Sequence, residues 1–306
     1  MKIAVVGSYG AGLTMRVPRS PGAGETVSGG QFDEGPGGKG SNQAIGAARL
    51  GAEVSLLTAI GYDAFGRAAI DLWRAEGVDA AKVVTAERPT MVGFILVEPS
   101  GENRIAIASG ALDELDAAAV RTFSDEIAAA DVLVVSMEIP EAAVVEALRI
   151  GRERGTTTVL NPAPARALPD EAWALIDVIT PNETEAPVLL GREADVALDD
   201  EDLVRDLQRR TGGSAILTRG ASGALLAEPH GAITVIEPVR VETVVDTTGA
   251  GDSYTAALAV ALAEGSTLPD AARFAAAAGA HAVTIAGVIP SLPSRSDLPS
   301  PIGSTR

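Results

Sequence analysis

Val132-Leu133-Val134-Val135 is an uninterrupted apolar run, and it opens the stretch of sequence that decides the fold. Residues 141–152 follow it with the composition and period of a helix, and a second short run, Thr157-Thr158-Val159-Leu160, comes next. Short, continuous apolar runs are typical of strands that are buried on both faces of a parallel sheet. The stretch therefore predicts a strand, a covering helix and a second strand parallel to the first.

The same alternation continues towards both ends of the chain. Apolar runs at residues 3–6, 54–58, 178–180 and 215–218 predict further strands, and stretches at residues 42–50, 65–76, 203–210, 251–263 and 270–285 predict further helices. This rhythm predicts an α/β fold, with a doubly wound, mostly parallel central sheet flanked by helices. We expect one domain over residues 1–306, since a chain of this length can bury the core that it needs.

Two stretches interrupt the alternation of strands and helices. Residues 13–32 and 90–107 alternate polar and apolar side chains with a period of two, and Gly and Pro punctuate them. They predict a small, separate antiparallel sheet, contributed by about residues 12–36 and 88–108. Because α/β sheets bind ligands at the carboxyl ends of their strands, this small sheet could act as a lid over a site there.

Composition and charge narrow the class of partner. The formal net charge of −17 disfavours attraction to nucleic acid or to an anionic membrane, so a small molecule is the expected partner. The chain has no cysteine and two histidines, which excludes disulfides and cysteine-bound zinc and disfavours a histidine-based metal site. The apolar start of the chain is too short for a signal peptide or a membrane span, so we expect a cytoplasmic protein.

The segment Asp246-Thr247-Thr248-Gly249-Ala250-Gly251-Asp252-Ser253-Tyr254 lies just before an alanine-rich helix. Its small residues, Gly249, Ala250 and Gly251, allow a tight turn whose N–H groups form an anion hole at the helix N-terminus. Asp252 would then lie beside a bound phosphoryl group, where an aspartate can accept the proton of an attacking hydroxyl. The alternative is that Asp252 only complements the helix dipole.

A second glycine-rich segment, Gly35-Pro36-Gly37-Gly38-Lys39-Gly40-Ser41-Asn42-Gln43-Ala44, leads into a predicted helix. It is not a P-loop, because Asp33 stands where that motif needs glycine and Gly40 follows the lysine where Ser or Thr is needed. Its glycines would instead allow the backbone close to a polyhydroxylated ligand, whose hydroxyls Lys39 and Asn42 could bind. The alternative is a loop that only caps the helix.

Three shorter motifs were also considered as possible binding sites. Thr180-Pro181-Asn182-Glu183-Thr184-Glu185 has capping-box spacing from Thr180 to Glu183, and we expect Asn182 and Glu185 to share a helix face, where they could hold Mg²⁺ through water. Leu217-Thr218-Arg219-Gly220-Ala221-Ser222-Gly223 ends a core strand in a turn that suits a nucleotide. Gly7-Ser8-Tyr9-Gly10-Ala11-Gly12 is no dinucleotide fingerprint, because strand-like sequence follows it.

Together, residues 37–44 and 246–252 resemble the two signatures of the ribokinase-like (PfkB) carbohydrate kinase family. Two segments between them, Leu160-Asn161-Pro162-Ala163-Pro164-Ala165-Arg166 and Thr180-Pro181-Asn182-Glu183-Thr184-Glu185-Ala186, are similar to those of bacterial ribokinases. The resemblance extends over about residues 3–293. It implies a kinase that transfers the γ-phosphoryl group of ATP to a primary hydroxyl of a small sugar or polyol, with Mg²⁺ and K⁺, and a homodimer formed through the lid sheet.

The resemblance also implies a role for each matching residue. Asp252 would be the base, with the N–H groups of residues 249–252 as the anion hole. The sugar would be bound by Gly38, Lys39, Asn42, Glu138 and Asp252. The nucleotide would face Asn182, Thr218, Gly220, Ser222, Gly223 and Gly251, and Glu185 would hold Mg²⁺ through water. K⁺ would be held near Asp246, Thr248, Ile285, Gly287 and Ser291.

One departure from the family pattern concerns the acceptor. Ribokinases carry Asn and Asp in the first lid segment, and this chain has Gly10 and Gly12 there. A site that loses a hydrogen-bonding partner loses ~1 to 3 kcal/mol, so ribose itself is in question while phosphoryl transfer is not. Arg16 has the same strand parity as Gly12 and could meet an anionic or bulkier acceptor. The alternatives are a kinase of a sugar acid or nucleoside, and a non-catalytic sugar- or nucleotide-binding regulatory protein.

Overall fold

A computed structural model describes residues 1–192 and 199–299 of the chain. The strands in these ranges are β1 (Lys2–Val6), β2 (Gly10–Arg16), β3 (Gln31–Gly37), β4 (Glu53–Leu57), β5 (Ala59–Gly61), β6 (Val78–Asp79), β7 (Val84–Ala86), β8 (Val92–Val97), β9 (Asn103–Ala108), β10 (Val132–Ser136), β11 (Thr157–Asn161), β12 (Val178–Ile179), β13 (Ser214–Thr218), β14 (Ala224–Ala227) and β15 (Thr234–Ile236).

The α-helices of the same residues alternate with these strands over most of the chain. They are α1 (Lys39–Arg49), α2 (Ala64–Ala75), α3 (Ala117–Arg121), α4 (Ser124–Ala129), α5 (Glu141–Arg154), α6 (Asp170–Trp173), α7 (Glu185–Leu189), α8 (Asp200–Thr211), α9 (Ala250–Ala263), α10 (Leu268–Ala282) and α11 (Val288–Ser291). Within the described ranges, no helix is long and apolar enough to cross a membrane.

The central sheet has the order β15-β14-β13-β12-β11-β10-β1-β4-β6. Pairing from β13 to β6 is parallel, and β14 and β15 continue the sheet as antiparallel strands. The chain leaves β1 towards β4 and later returns to β10 on its other side, which makes β1 and β10 a topological switch point. Ligands bind outside the carboxyl ends of the strands at such a point.

Side chains of one strand alternate between two apolar cores, one on each face of the sheet. In β10, Val132 and Val134 join the core built with α1, α9 and α10, while Leu133 and Val135 join the core built with α5 and α8. This double burial explains why the four residues 132–135 are all apolar. The predicted α/β, doubly wound fold is confirmed.

A separate sheet of four strands has the order β3-β2-β8-β9 and forms the predicted lid. Its outer pairs, β2–β3 and β8–β9, are antiparallel hairpins, but β2 and β8 pair in parallel. The prediction of a purely antiparallel sheet was therefore wrong. The reason is that two hairpins from different parts of the chain meet through their first strands, and these two strands run in the same direction.

Candidate active site

A cavity of about 300 Å³ lies where the motifs of the first and last thirds of the chain meet. It is lined by Lys39, Asn161, Ala163, Thr180, Asn182, Glu185, Thr218, Thr247, Thr248, Gly249, Gly251, Asp252, Tyr254 and Thr255. Eight of these are residues to which the sequence predicts a binding or catalytic role: Lys39, Asn182, Glu185, Thr218, Thr248, Gly249, Gly251 and Asp252. The sequence motifs therefore converge on one cleft.

The N-terminus of α9 forms one wall of the cleft. Gly249 precedes the helix at φ 84°, and a Cβ there would come within 2.9 Å of the Val288 side chain, so both conformation and packing favour glycine. In the part of the chain that the structure describes, the N–H groups of Gly249, Gly251 and Asp252 donate no hydrogen bond, whereas that of Ala250 lies 3.3 Å from the Thr247 carbonyl. These free N–H groups suit an anion at the positive end of the helix.

The Asp252 carboxylate is buried in the first turn of α9 and is held on both oxygens. Its Oδ2 accepts a hydrogen bond of 2.8 Å from Asn42 Nδ2, and its Oδ1 accepts one of 3.0 Å from Gln43 Nε2. Burial raises the pKa of Asp252, although the Lys39 charge and the two amide donors oppose that rise. The arrangement fixes the orientation of the carboxylate and leaves it a stronger proton acceptor than an exposed aspartate.

Lys39 and Glu138 lie beside Asp252. The Glu138 carboxylate accepts hydrogen bonds from the Ser8 hydroxyl and, at 3.2 Å, from the Lys39 backbone N–H. Burial acts to lower the pKa of the Lys39 ammonium, but the nearby charges of Asp252, Glu138 and Glu185 outweigh it and raise that pKa. Lys39 therefore stays charged and can donate hydrogen bonds to hydroxyls or phosphate oxygens.

Two glycines at the start of α1, Gly38 and Gly40, are explained by the chain's own backbone. A Cβ at Gly38, whose φ is 91°, would lie 2.5 Å from Tyr9 Cα, and one at Gly40 would lie 2.5 Å from the Gly7 carbonyl carbon. The sequence prediction attributed these glycines to a ligand that approaches the backbone. The structure shows that they let the loop pack against residues 7–9, so their presence is not in itself evidence of a sugar.

Asn182 and Glu185 form a reciprocal cap that differs from the predicted one. The Asn182 side-chain oxygen accepts hydrogen bonds of 2.9 Å from the N–H groups of Thr184 and Glu185, and the Asn182 N–H donates to Glu185 Oε2 at 2.9 Å. The predicted box from Thr180 to Glu183 was wrong, because α7 begins only at Glu185. Asn182 thus precedes the helix and shares no helix face with Glu185, yet both side chains line the cleft.

The turn between β13 and β14 lies at the rim of the cleft. Thr218 lines the cleft and forms an isolated parallel bridge with Asn182, which ties two predicted nucleotide residues together. Gly220 and Ser222 are exposed in a short 3₁₀ turn, and Gly223 has a φ of 80° with a virtual Cβ 2.1 Å from the Ile236 carbonyl oxygen. The structure brings Thr218 into the cleft but leaves Gly220, Ser222 and Gly223 outside its lining.

The predicted cation residues lie in the loop before α9 and in the segment from the end of α10 to the end of α11. Asp246 accepts hydrogen bonds from the N–H groups of Thr248, at 2.9 Å, and Gly287, at 3.0 Å. Burial opposes its ionisation, but these hydrogen bonds and the charge of Arg16 lower the pKa of Asp246 overall. Further along, Ile285 is half-buried, and the buried Ser291 donates its hydroxyl to the Val288 carbonyl at 2.8 Å. The carboxylate of Asp246 thus remains ionised and joins the loop to this segment.

Within the described ranges, no group of three or more Asp, Glu, His or Cys side chains could hold a metal ion on its own. Mg²⁺ commonly keeps several waters and binds through one or two carboxylates together with substrate phosphates. Glu185 fits that mode, because one of its oxygens bonds to the Asn182 N–H and its side chain faces the cleft. Burial raises the pKa of Glu185, and a bound cation would favour its ionised form.

The first lid strand carries small residues where a side chain could meet an acceptor. Gly12 pairs with Gly35 on β3 and with Gly93 on β8, so three glycines form a row on one face of the lid. Arg16 lies on that same face by strand parity, and its charge acts on Asp246. The glycine row therefore lies on the same face of the lid as Arg16, whose charge reaches the loop before α9.

Three polar residues of the site had no predicted role. Gln43 and Asn161 hydrogen-bond each other beside Asp252, and Arg166 donates to the carbonyls of Met137 and Ile139, on either side of Glu138. Gln43 lies in the glycine-rich motif at residues 35–44, and Asn161 and Arg166 lie in the segment 160–166. Nothing in the sequence distinguishes these polar residues from others near a strand end. Which of them faces the site depends on the tertiary packing.

Comparison with known proteins agrees with this geometry. Residues 1–295 match the model of the pfkB family carbohydrate kinases. The chain is 37% identical over 299 residues to the ribokinase of Haemophilus influenzae, covering 96% of each protein. The structure superposes on the ribokinase of Thermotoga maritima with a TM-score of 0.87 at 30% identity, covering 97% of each chain. It superposes on the Arabidopsis thaliana ribokinase complexed with ribose and ATP with a TM-score of 0.86 at 28% identity, covering 97% of this chain and 96% of that one. The chain therefore belongs to the pfkB family of carbohydrate kinases and is an ATP-dependent sugar kinase.

Proposed function

We propose that the enzyme transfers the γ-phosphoryl group of ATP to a primary hydroxyl of a pentose or a ketohexose, with Asp252 as the general base. The observation that carries this proposal is the position of Asp252. Its buried carboxylate lines the cleft in the same helical turn as the unbonded N–H groups of Gly249 and Gly251. A base and an anion hole this close together are what transfer to a hydroxyl needs.

The residues of the cleft suggest how the reaction proceeds. The Asp252 carboxylate accepts the proton of the acceptor hydroxyl while the hydroxyl oxygen forms a bond to the γ-phosphorus of ATP and the bond to ADP breaks. The transition state of such transfers is loose, so most of the catalysis comes from positioning and from charge stabilisation. The N–H groups of Gly249, Gly251 and Asp252 would stabilise the phosphoryl oxygens, while that of Ala250 is engaged in the turn.

The nucleotide and ions belong to the same proposal. ATP would lie along Asn182, Thr218 and the turn of Gly220, Ser222 and Gly223. Mg²⁺, held by the phosphates and through water by Glu185, would neutralise phosphate charge when bound. K⁺ would be held by the loops of Asp246 and Thr248 on one side and Ile285, Gly287 and Ser291 on the other. The lowered pKa of Asp246 supports that site, because a cation needs its carboxylate ionised.

The acceptor would be bound beside Gly38 by Lys39, Asn42 and Glu138. Asn42 is buried, and its side-chain oxygen lacks a hydrogen-bond partner among the described residues, so an acceptor hydroxyl could supply one. The related Arabidopsis protein was solved with ribose, which favours a pentose. A nucleoside or sugar acid is the second candidate, because the lid face that carries Arg16 also carries Gly12 and Gly93 and offers room in place of polar side chains.

Assembly and location complete the proposal. We expect a homodimer through the lid sheet, since Phe32 and Phe94 are 58% and 60% exposed on it, more than an isolated small sheet would favour. A cytoplasmic location is proposed as well, because ATP is the phosphoryl donor and the chain has no cysteine for disulfides.

The test compares Asp252→Asn with the wild-type enzyme by ADP release, using ribose, other pentoses, ketohexoses, sugar acids and ribonucleosides as acceptors. Wild type should turn over at least one acceptor, and Asp252→Asn should lose at least about a hundredfold in kcat, as expected for a general base. ATP binding by calorimetry should stay within about threefold. A variant with near wild-type kcat would refute the role of Asp252, and binding without turnover by wild type would favour the regulatory alternative.

A further inference from the structure

Gln43 occupies a position between two helices of the core where its side chain has little freedom. It is 1% exposed on α1, and α1 packs closely against α9, since a Cβ at Gly46 would lie 2.9 Å from that of Ala256. The side chain therefore reaches the start of α9 from a fixed backbone. The proposed function uses Lys39 and Asn42 from this helix and gives Gln43 no part.

The amide of Gln43 makes two hydrogen bonds through one nitrogen. Gln43 Nε2 donates to Asp252 Oδ1 at 3.0 Å and to Asn161 Oδ1 at 3.0 Å. A rotated amide would direct Oε1 at these two acceptor oxygens, so only one orientation is favourable. Gln43 Oε1 itself has no partner within the described residues, a cost that the two donated bonds must outweigh.

We propose that Gln43 is a positioning residue that holds the Asp252 carboxylate in its reactive orientation, with Asn161 fixing the direction in which the Gln43 amide donates. This inference rests on the proposed function, in which Asp252 is the base. Asn42 holds the second carboxylate oxygen at 2.8 Å, so the carboxylate is held at both ends. Gln43 does not touch the acceptor in this arrangement and acts through Asp252 alone.

The inference predicts a specific kinetic effect of Gln43→Leu, which keeps the apolar bulk and removes the donor. We expect kcat to fall by about ten- to hundredfold, a part of the contribution of a general base, while KM for ATP and for the acceptor stays within about threefold. Gln208→Leu is the matched control, because Gln208 donates to the Gly213 carbonyl far from the cleft and its loss should leave kcat within about twofold.

A second variant, Gln43→Glu, keeps the shape of the side chain and adds a carboxyl beside Asp252. Burial and Glu138 already raise the pKa of Asp252, Lys39 lowers it, and Glu185 lies on the same cleft. A further carboxylate within about 3 Å raises the pKa of Asp252 again. Since the base acts only when ionised, the acid limb of the kcat profile should move to higher pH.

The outcomes separate this inference from the proposed function. A kcat for Gln43→Leu within about threefold of wild type, with Asp252→Asn inactive, would overturn the inference alone. A loss carried by KM or by a lowered melting temperature at unchanged kcat would also overturn it, because that indicates a structural role. If Gln43→Leu does not fold, an unshifted acid limb in Gln43→Glu overturns the inference. A near wild-type rate in Asp252→Asn would instead refute the proposed function.

Discussion

The glycine at position 12 makes a specific prediction about the acceptor. A Cβ there would meet the Gly35 carbonyl oxygen at 3.7 Å and Ile95 Cδ1 at 3.9 Å, which are ordinary contacts, so Gly12→Asp should be accommodated. We expect the new carboxylate to bind sugar hydroxyls and to raise kcat/KM for ribose by about tenfold, since a hydrogen bond to a charged group is worth about 1.5–3 kcal/mol. Steady-state kinetics with ribose measure this.

Gly12→Leu controls for the loss of space, because it fills the same volume without a hydrogen-bonding group. An increase with ribose that Gly12→Leu reproduces would contradict the role of the carboxylate. Gly10 offers less room, since a Cβ there would lie 3.0 Å from the Met91 carbonyl oxygen and 3.1 Å from Met91 Cβ. Gly10 and Gly12 lie on the same face of β2, and they differ only in how closely other residues pack against them.

At the level of single residues, sequence reasoning identified the groups that carry charge or a special backbone. Asp252 and Lys39 were predicted from motifs of consecutive residues, whose chemistry can be inferred from the sequence alone. Both line the cleft. Gln43 and Arg166 were not assigned roles, because their significance lies in hydrogen bonds to residues far away in sequence. A polar residue acquires such a role only when the helices have packed.

Among the elements, the end of α1 is tied to two others through Arg49. Its guanidinium forms two hydrogen bonds with Glu76, after α2, and donates to the carbonyls of Ile289 and Leu292 at the C-terminal segment. Arg49→Met should lower the free energy of unfolding by about 1.5–3 kcal/mol, because hydrogen bonds to a partly buried charge are lost. Urea denaturation measures this difference.

Arg74→Met is the matched control, since Arg74 and Asp71 form a pair whose side chains are 72% and 74% exposed. Its effect on stability should stay within about 0.5 kcal/mol. Equal destabilisation by both variants would show that the contacts of Arg49 contribute no more than a surface ion pair.

The boundaries of strands and helices were predicted well where burial leaves an apolar pattern in the sequence. They were predicted less well where a capping residue decides where a helix begins. Strands β10 and β11 begin at the predicted residues, because burial on both faces of the sheet leaves the apolar runs of residues 132–135 and 159–160 in the sequence. Helix α7 begins later than expected, because Asn182 supplies the cap and the sequence offers several polar residues that could do so. Cap identity depends on backbone geometry that composition does not encode.

For the whole molecule, the exposed apolar face of the lid predicts the assembly. Phe94 lies opposite Leu13 in the register, and Phe32 lies opposite Met15, on the face turned away from Gly12. Phe94→Glu should convert the proposed dimer to a monomer at micromolar concentration, because an unpaired charge in an apolar interface is costly. Sedimentation velocity measures the change.

Val235→Glu serves as the control, since Val235 is 51% exposed on β15, far along the other sheet, and its replacement should leave the dimer intact. A monomeric wild-type protein across the concentration range would contradict the proposed assembly outright. The order of strands and the parallel pairing of β2 with β8 could not be predicted from the sequence, because apolar periodicity reports burial and not neighbours.

The bond between Asn42 and Asp252 joins residues that are 210 positions apart. During synthesis on the ribosome, a nascent chain emerges with α1 long before α9 has been made. The turn at residues 249–251 and Asp252, the proposed phosphate-binding site and base, are made only when most of the protein is complete. Unfinished chains should therefore consume no ATP, and the enzyme begins to work only once its two ends have met.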